Sequence, residues 1–200
     1  AAALFLFQIP LVGHFQQGER LVKEGKLPEA EEQFQQALHE RPDWVSAKKA
    51  IGNIRIHQNR IDDAINIYEN IIAENDCDLD ARLTLASLYS WRREYDRSIV
   101  CYKDALALDT LNMTALNGLG RVLRWATRYA ESEAVYAKVL GLEPDDTEAL
   151  IGLSQTYAQQ QRLDNALGVI ERALGMTPGN PEVLRSKADI LAWSNRYREA

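Results

Sequence analysis

Residues 113–146 read MTALNGLGRVLRWATRYAESEAVYAKVLGLEPDD, and the same pattern of side-chain sizes returns on either side of them every 34 positions. Sliding the chain along itself by 34 needs no insertion or deletion and gives units beginning at Leu11, Val45, Leu79, Met113, Thr147 and Pro181, the last cut off at Ala200. A fixed period of this length marks a stacked array, in which each unit buries its apolar face only against its neighbours. The register is set by positions that must be small. Position 8 holds Gly18, Gly52, Ala86, Gly120, Ser154 and Ala188, and position 20 holds Ala30, Ala64, Ser98, Ser132, Ala166 and Ala200. Two antiparallel helices touch at such points only when neither carries a bulky side chain. Position 24 is the converse, with Phe34, Tyr68, Tyr102, Tyr136 and Ile170 filling the groove between one unit and the next.

Helix boundaries keep the same period. Asp78, Asn112, Asp146 and Asn180 stand at position 34, each suited to accept the free amides of the following helix. Pro181 follows at a first helical position, while Pro42, Pro144 and Pro178 lie just past the second helices and stop them. Gly25, Asn59 and Asn195 mark the turn inside a unit, replaced elsewhere by Arg93, Thr127 and Gln161. This predicts a first helix over positions 1–14 and a second over 15–30 of each unit.

These residues resemble the tetratricopeptide repeat (TPR) family, whose pattern is Trp-x2-Leu-Gly-x2-Tyr, then Ala-x3-Phe, Ala and Pro. The resemblance covers residues 11–200 and implies an all-α fold, a right-handed superhelical α-solenoid of antiparallel helix pairs. The departures are His14, Lys48 and Arg82 at position 4 and Arg55 at position 11; the stems of Lys48 and Arg55 are expected to pack while their heads reach water. In this family the first helices line the concave surface through positions 2, 5, 9, 12 and 13, a spacing that also falls on one helix face. The candidate partner-binding groove residues are Lys49, Asn53, Trp91, Asn117, Arg121, Arg124 and Trp125. Three tryptophans share position 13 in the corners Trp91-Arg92-Arg93-Glu94-Tyr95, Trp125-Ala126-Thr127-Arg128-Tyr129 and Trp193-Ser194-Asn195-Arg196-Tyr197. They read either as packing on the helix turn or as aromatic platforms for an extended peptide or for sugar rings. The carboxylate clamp of some family members is matched by Lys49 and Asn53 only: Thr84, Thr114 and Gly118 stand where its other elements belong.

The net charge of −6 disfavours a nucleic-acid partner. No phosphate loop, zinc motif, Cys-x-x-Cys or nucleophile elbow is present, so neither an enzyme nor a cofactor is expected. Asp62-Asp63 and Asp145-Asp146 fall at helix starts, where capping and the helix dipole account for them. His14, His39 and His57 lack metal-ligand spacing, and Cys77 and Cys101, about 10 Å apart along the helix axes, are expected to be free thiols.

Residues 1–10, apolar and without a basic leader, read either as the remnant of an export or anchor segment or as a strip capping the first repeat. The Trp-x-x-Arg-Tyr corners also resemble TPR segments attached to bacterial outer-membrane barrels and polysaccharide-secretion machinery. With the apolar segment, this implies a periplasmic or cell-envelope setting, the alternative being the cytoplasm. The functional expectation is a non-catalytic adaptor binding a protein or extended peptide in its groove. A carbohydrate-handling module of a polysaccharide export system is the alternative, and a helical extension of an enzyme or barrel beyond residue 200 a third. An apolar exposed end also permits self-association.

Overall fold

The computed structural model describes the backbone of residues 2–193 and the side chains of residues 13–193. Among the described residues there are eleven helices and no strand: α1 (Ala2–Lys23), α2 (Leu27–Glu40), α3 (Val45–His57), α4 (Ile61–Glu74), α5 (Leu79–Trp91), α6 (Tyr95–Leu108), α7 (Met113–Trp125), α8 (Tyr129–Leu142), α9 (Thr147–Gln159), α10 (Leu163–Met176) and α11 (Pro181–Trp193). From α3 onward every first helix begins at the residue where its repeat begins. The chain forms two compact units, Ala1–Leu88 and Tyr89–Ala200, whose boundary falls inside α5. In the first unit α1 packs on α2, α2 on α3 and α3 on α4; in the second, each helix from α6 to α11 packs on the next, and α7 lies against α9 and α9 against α11.

The second helices start at position 17, two residues later than the sequence spacing suggests. The cause is the residue at position 15, which is left-handed in each of the five described corners: Gly25 (φ 76°), Asn59 (58°), Arg93 (63°), Thr127 (61°) and Gln161 (61°). A left-handed residue cannot continue a right-handed helix, so positions 14–16 become a turn. Only Gly25 adopts this conformation without steric cost, and the β-branched Thr127 suffers most. Thr127→Gly is therefore expected to raise stability by up to about 1 kcal/mol in urea unfolding; an unchanged or lower midpoint would show the corner to be unstrained.

The four N-caps predicted at position 34 are formed. Asp78, Asn112 and Asp146 accept from the amides of Ala81, Ala115 and Ala149 at 2.9, 2.9 and 2.6 Å, and Asn180 accepts from Glu182 at 2.9 Å. At the other end, the amide one residue past each second helix donates to the carbonyl at position 27, as in Arg41 to Ala37 and Glu143 to Val139. Pro42, Pro144 and Pro178 come next and prevent further helix.

The small positions meet as expected. Ser132 donates to the Gly120 carbonyl at 2.8 Å, and Ala30, Ala64, Ser98, Ser132 and Ala166 are wholly buried. Tyr136 shows why glycine is needed opposite the large ring: a Cβ at Gly120 would lie 2.8 Å from the ring, and one at Gly152 of the next repeat 2.2 Å from it. Ala188 is exposed, and its counterpart Ala200 lies outside the described residues.

Helix α1 runs continuously from Ala2 to Lys23, position 13 of the first repeat. The side chains of residues 1–12, on which the choice between leader remnant and cap depends, lie outside the described residues, as do Asn195 and the corner after Trp193. Among the described residues no helix is long and apolar enough to cross a membrane. Cys77 and Cys101 are both free.

Candidate functional site

Side chains at positions 5, 9, 12 and 13 of the first helices fall on one face, and the structure shows what each is tied to. In the first unit, the Lys49 ammonium donates to Asp78 at 2.7 Å and lies 3.7 Å from Asp80. Asn53 accepts from the Tyr68 hydroxyl at 2.8 Å. Burial pushes the Tyr68 hydroxyl up to about 12, so it stays a donor throughout the physiological range. Both candidate groove residues of this unit therefore already hold internal partners. They border a cleft of about 600 Å³ lined also by Phe15, Val22 and Phe34.

Of the two residues expected to send charged heads to water, Lys48 holds its ammonium at the surface beside the half-exposed Glu74, whereas Arg55 does otherwise. Arg55 pairs with Glu31, both of these side chains being nearly buried. Gln35 donates to the same Glu31 carboxylate at 3.0 Å, and Arg55 donates to Gln58 at 3.3 Å. Little of the Arg55 side chain is left in water, and a carboxylate on α2 takes the place of solvent.

The remaining candidates lie in the second unit. Asn117 is only 4% exposed and donates to the Asp146 carboxylate at 3.3–3.4 Å, the counterpart of the Lys49–Asp78 tie; its Oδ1 is buried without a partner. Arg121, Arg124 and Trp125 are brought together at the end of α7. The guanidinium carbons of Arg121 and Arg124 lie 5.7 and 5.9 Å from the centroid of Trp125, whose other neighbour is the Tyr95 ring at 6.2 Å. Arg121 also donates to Glu148 at 2.9 Å. Trp125 stays 38% exposed, Trp91 58% and Trp193 55%, so packing on the helix turn leaves much of each indole free.

Two features at this site escaped the sequence reading. The first is that Arg124 has no carboxylate within ion-pair distance among the described residues, and its Nε is buried without an acceptor. Desolvation lowers its pKa, with the Tyr136 hydroxyl opposing that effect and Arg121 adding to it. The second is a cleft of about 410 Å³ between α7 and α9, reaching the start of α11, into which Arg121, Arg124, Tyr136 and Glu148 all face. A cation at position 12, where the other repeats carry Val22, Ile56, Ser90, Ala158 and Ala192, was the available signal. Among the described residues no cluster of three or more His, Cys, Asp or Glu could hold a metal ion.

Two family models described as tetratricopeptide repeat match the chain, one over residues 15–78 and 83–139 and the other over 123–190. No curated protein matches it in sequence. Among solved structures, a tetratricopeptide repeat protein from Parabacteroides merdae superposes with a TM-score of 0.89 at 17% identity, covering 95% of this chain and 75% of that one. YrrB, described as a TPR protein with an unusual peptide-binding site, gives 0.73 at 18% identity, covering 87% and 90%. A thermophilic TPR protein from Thermus thermophilus gives 0.68 at 20% identity, covering 91% and 99%. At these identities the likeness is one of fold.

Proposed function

Because the chain belongs to the tetratricopeptide repeat family, we propose that it is a non-catalytic scaffold that binds a partner protein, as an extended peptide, on the face formed by the first helices of its repeats. The observation that carries this reading is the set of exposed tryptophans at one repeat position, Trp91, Trp125 and Trp193, on a protein whose aromatic rings at position 24, Phe34, Tyr68, Tyr102 and Tyr136, are buried. Large aromatic side chains left half in water at regular spacing are costly unless something covers them, and tryptophan and arginine dominate the energetics of peptide interfaces. The existence of a peptide-binding site in YrrB supports the same use of the fold.

The test is capture of partner by immobilised protein, wild type against Trp91→Ala/Trp125→Ala, with unfolding curves as a control for integrity. Loss of at least ~10-fold in affinity is expected from removing two such anchors. Undiminished capture by the folded double variant would remove this face from consideration.

A second reading, carbohydrate handling, has its own support. Trp193 borders a cleft of about 560 Å³ together with Gln159 and Gln161. Gln159 Oε1 is buried there without a donor. An indole face beside amides is the chemistry that stacks on a sugar ring and bonds its hydroxyls. Titration with a panel of neutral and acidic polysaccharides is expected to change tryptophan fluorescence in that case, and a flat response across the panel would refute it. The setting we favour is the cell envelope, supported by the tryptophan corners and the apolar leading segment; cell fractionation decides it.

A further inference from the structure

We propose that Arg124 is the anchor for a single carboxylate of a bound peptide, held in the cleft between α7 and α9. This rests on the peptide-binding reading above and names the chemistry it selects.

The fold does not need a cation at this place. Position 12 is Val22, Ile56, Ser90, Ala158 or Ala192 in the other repeats, and each serves its own helix pair. Arg124 is nevertheless drawn down among Trp125, Tyr136 and Arg121, where its only neighbouring acceptor is the neutral Tyr136 hydroxyl and its Nε is out of contact with solvent and unpartnered among the described residues. Burying a guanidinium without a counter-ion is unfavourable, and a buried donor without an acceptor adds to the cost. Other charged residues of this face have partners of opposite charge: Lys49 has Asp78 and Arg121 has Glu148. Arg124 has no carboxylate within ion-pair distance among the described residues, and that counter-ion is what a ligand would bring.

The surroundings define which anion fits. Gly152 lets the Tyr136 hydroxyl reach the cleft, because a Cβ there would stand 2.4 Å from the phenol oxygen. A hydroxyl donor and a planar guanidinium then face one space, an arrangement that suits the two oxygens of a carboxylate. Glu148 and Glu182 stand on the rim of the same cleft, so a polyanion such as a phosphorylated or poly-acidic segment meets repulsion that a lone carboxylate avoids. Trp125 beside the guanidinium offers its exposed surface to an apolar side chain next to the acid.

The probe is a pool of short random synthetic peptides, made with free and with amidated C termini, captured on the whole protein and identified by mass spectrometry. Captured peptides are then titrated individually against wild type, Arg124→Met and Arg124→Lys. The expected result is enrichment of peptides with one acidic group beside an apolar residue, binding ~10- to 100-fold more weakly to Arg124→Met and recovering only in part with Arg124→Lys. Amidation and Asp→Asn or Glu→Gln changes in each captured peptide tell a C-terminal carboxylate from a side-chain one. Thermal unfolding of the variants separates lost anchoring from lost structure. Enrichment of peptides without an acid, or equal binding by Arg124→Met, overturns the carboxylate anchor and leaves the peptide-binding face standing. Capture of no peptide by a folded protein overturns both.

Discussion

Tyr136→Ala is expected to destabilise the protein by about 3–5 kcal/mol, the cost of removing a large buried ring whose space cannot collapse. The ring is 2% exposed and bounded by Gly120 of its own repeat and Gly152 of the next, so its loss opens both the contact within a helix pair and the contact between pairs. Filling the space from the other side is no remedy. Gly152→Ala would set a methyl 2.2 Å from the ring and is expected to cost about 1–3 kcal/mol through displacement of Tyr136. Urea unfolding followed by tryptophan fluorescence measures both. A loss below about 1 kcal/mol for Tyr136→Ala would mean that the interlock is not a principal source of stability. The hydroxyl adds a pH signature. Burial raises it to about 12 from an ordinary value of 10, so the neutral form is favoured in the folded state. That contribution is complete below pH 10 and is lost as the pH rises from 10 through 12. Tyr136→Phe should lack this part of the alkaline decline.

The second large effect concerns Glu31 and Arg55 and reverses sign between single and double variants. Glu31→Leu leaves the Arg55 guanidinium nearly buried with only the Gln58 side chain as acceptor, and a loss of about 3–5 kcal/mol is expected. Glu31→Leu with Arg55→Met removes both charges and restores apolar packing, so most of the loss should return and the double variant should lie near wild type or above it. A double-mutant cycle from urea unfolding gives the coupling directly. Additive effects would mean that the two charges stabilise the fold independently, through water or through Gln35 and Gln58, and would remove the pair as a unit.

The array itself was legible because its determinants are local or strictly periodic. Asp78, Asn112, Asp146 and Asn180 cap helices through amides two or three residues away, and Gly or Ser at a touching point is a statement about size alone. The fates of the polar side chains were less legible. Lys49 finds Asp78 at 29 residues' distance, Arg55 finds Glu31 at 24 and Arg121 finds Glu148 at 27, each about one repeat away. A periodic alignment assigns such a residue to a face; which neighbour answers it depends on rotamers that the alignment does not contain. The late start of the second helices has a different cause: Arg93, Thr127 and Gln161 are poor advertisements for a left-handed corner, whereas Gly25 and Asn59 are good ones. Of the seven candidate groove residues, Lys49, Asn53 and Asn117 have internal partners, Arg121 pairs with Glu148, Trp91 and Trp125 are partly exposed, and Arg124 has no carboxylate partner among the described residues.

Asp78 and Asp146 each do two things at once. Each accepts the first amides of the helix it begins, and each receives a side chain from the first helix of the preceding repeat, Lys49 in one case and Asn117 in the other. Nucleation is the slow, unfavourable step of helix formation, and here the group that eases it is itself held in position by a neighbour already in place. Order in one repeat therefore lowers the threshold for order in the next, which is the coupling term of a one-dimensional chain of switches. Where the link is an ammonium on a carboxylate it should be strong and salt-sensitive; where it is an amide it should be weaker and indifferent to salt. Ionic strength then acts as a selective dial on how far a local opening spreads before it stops.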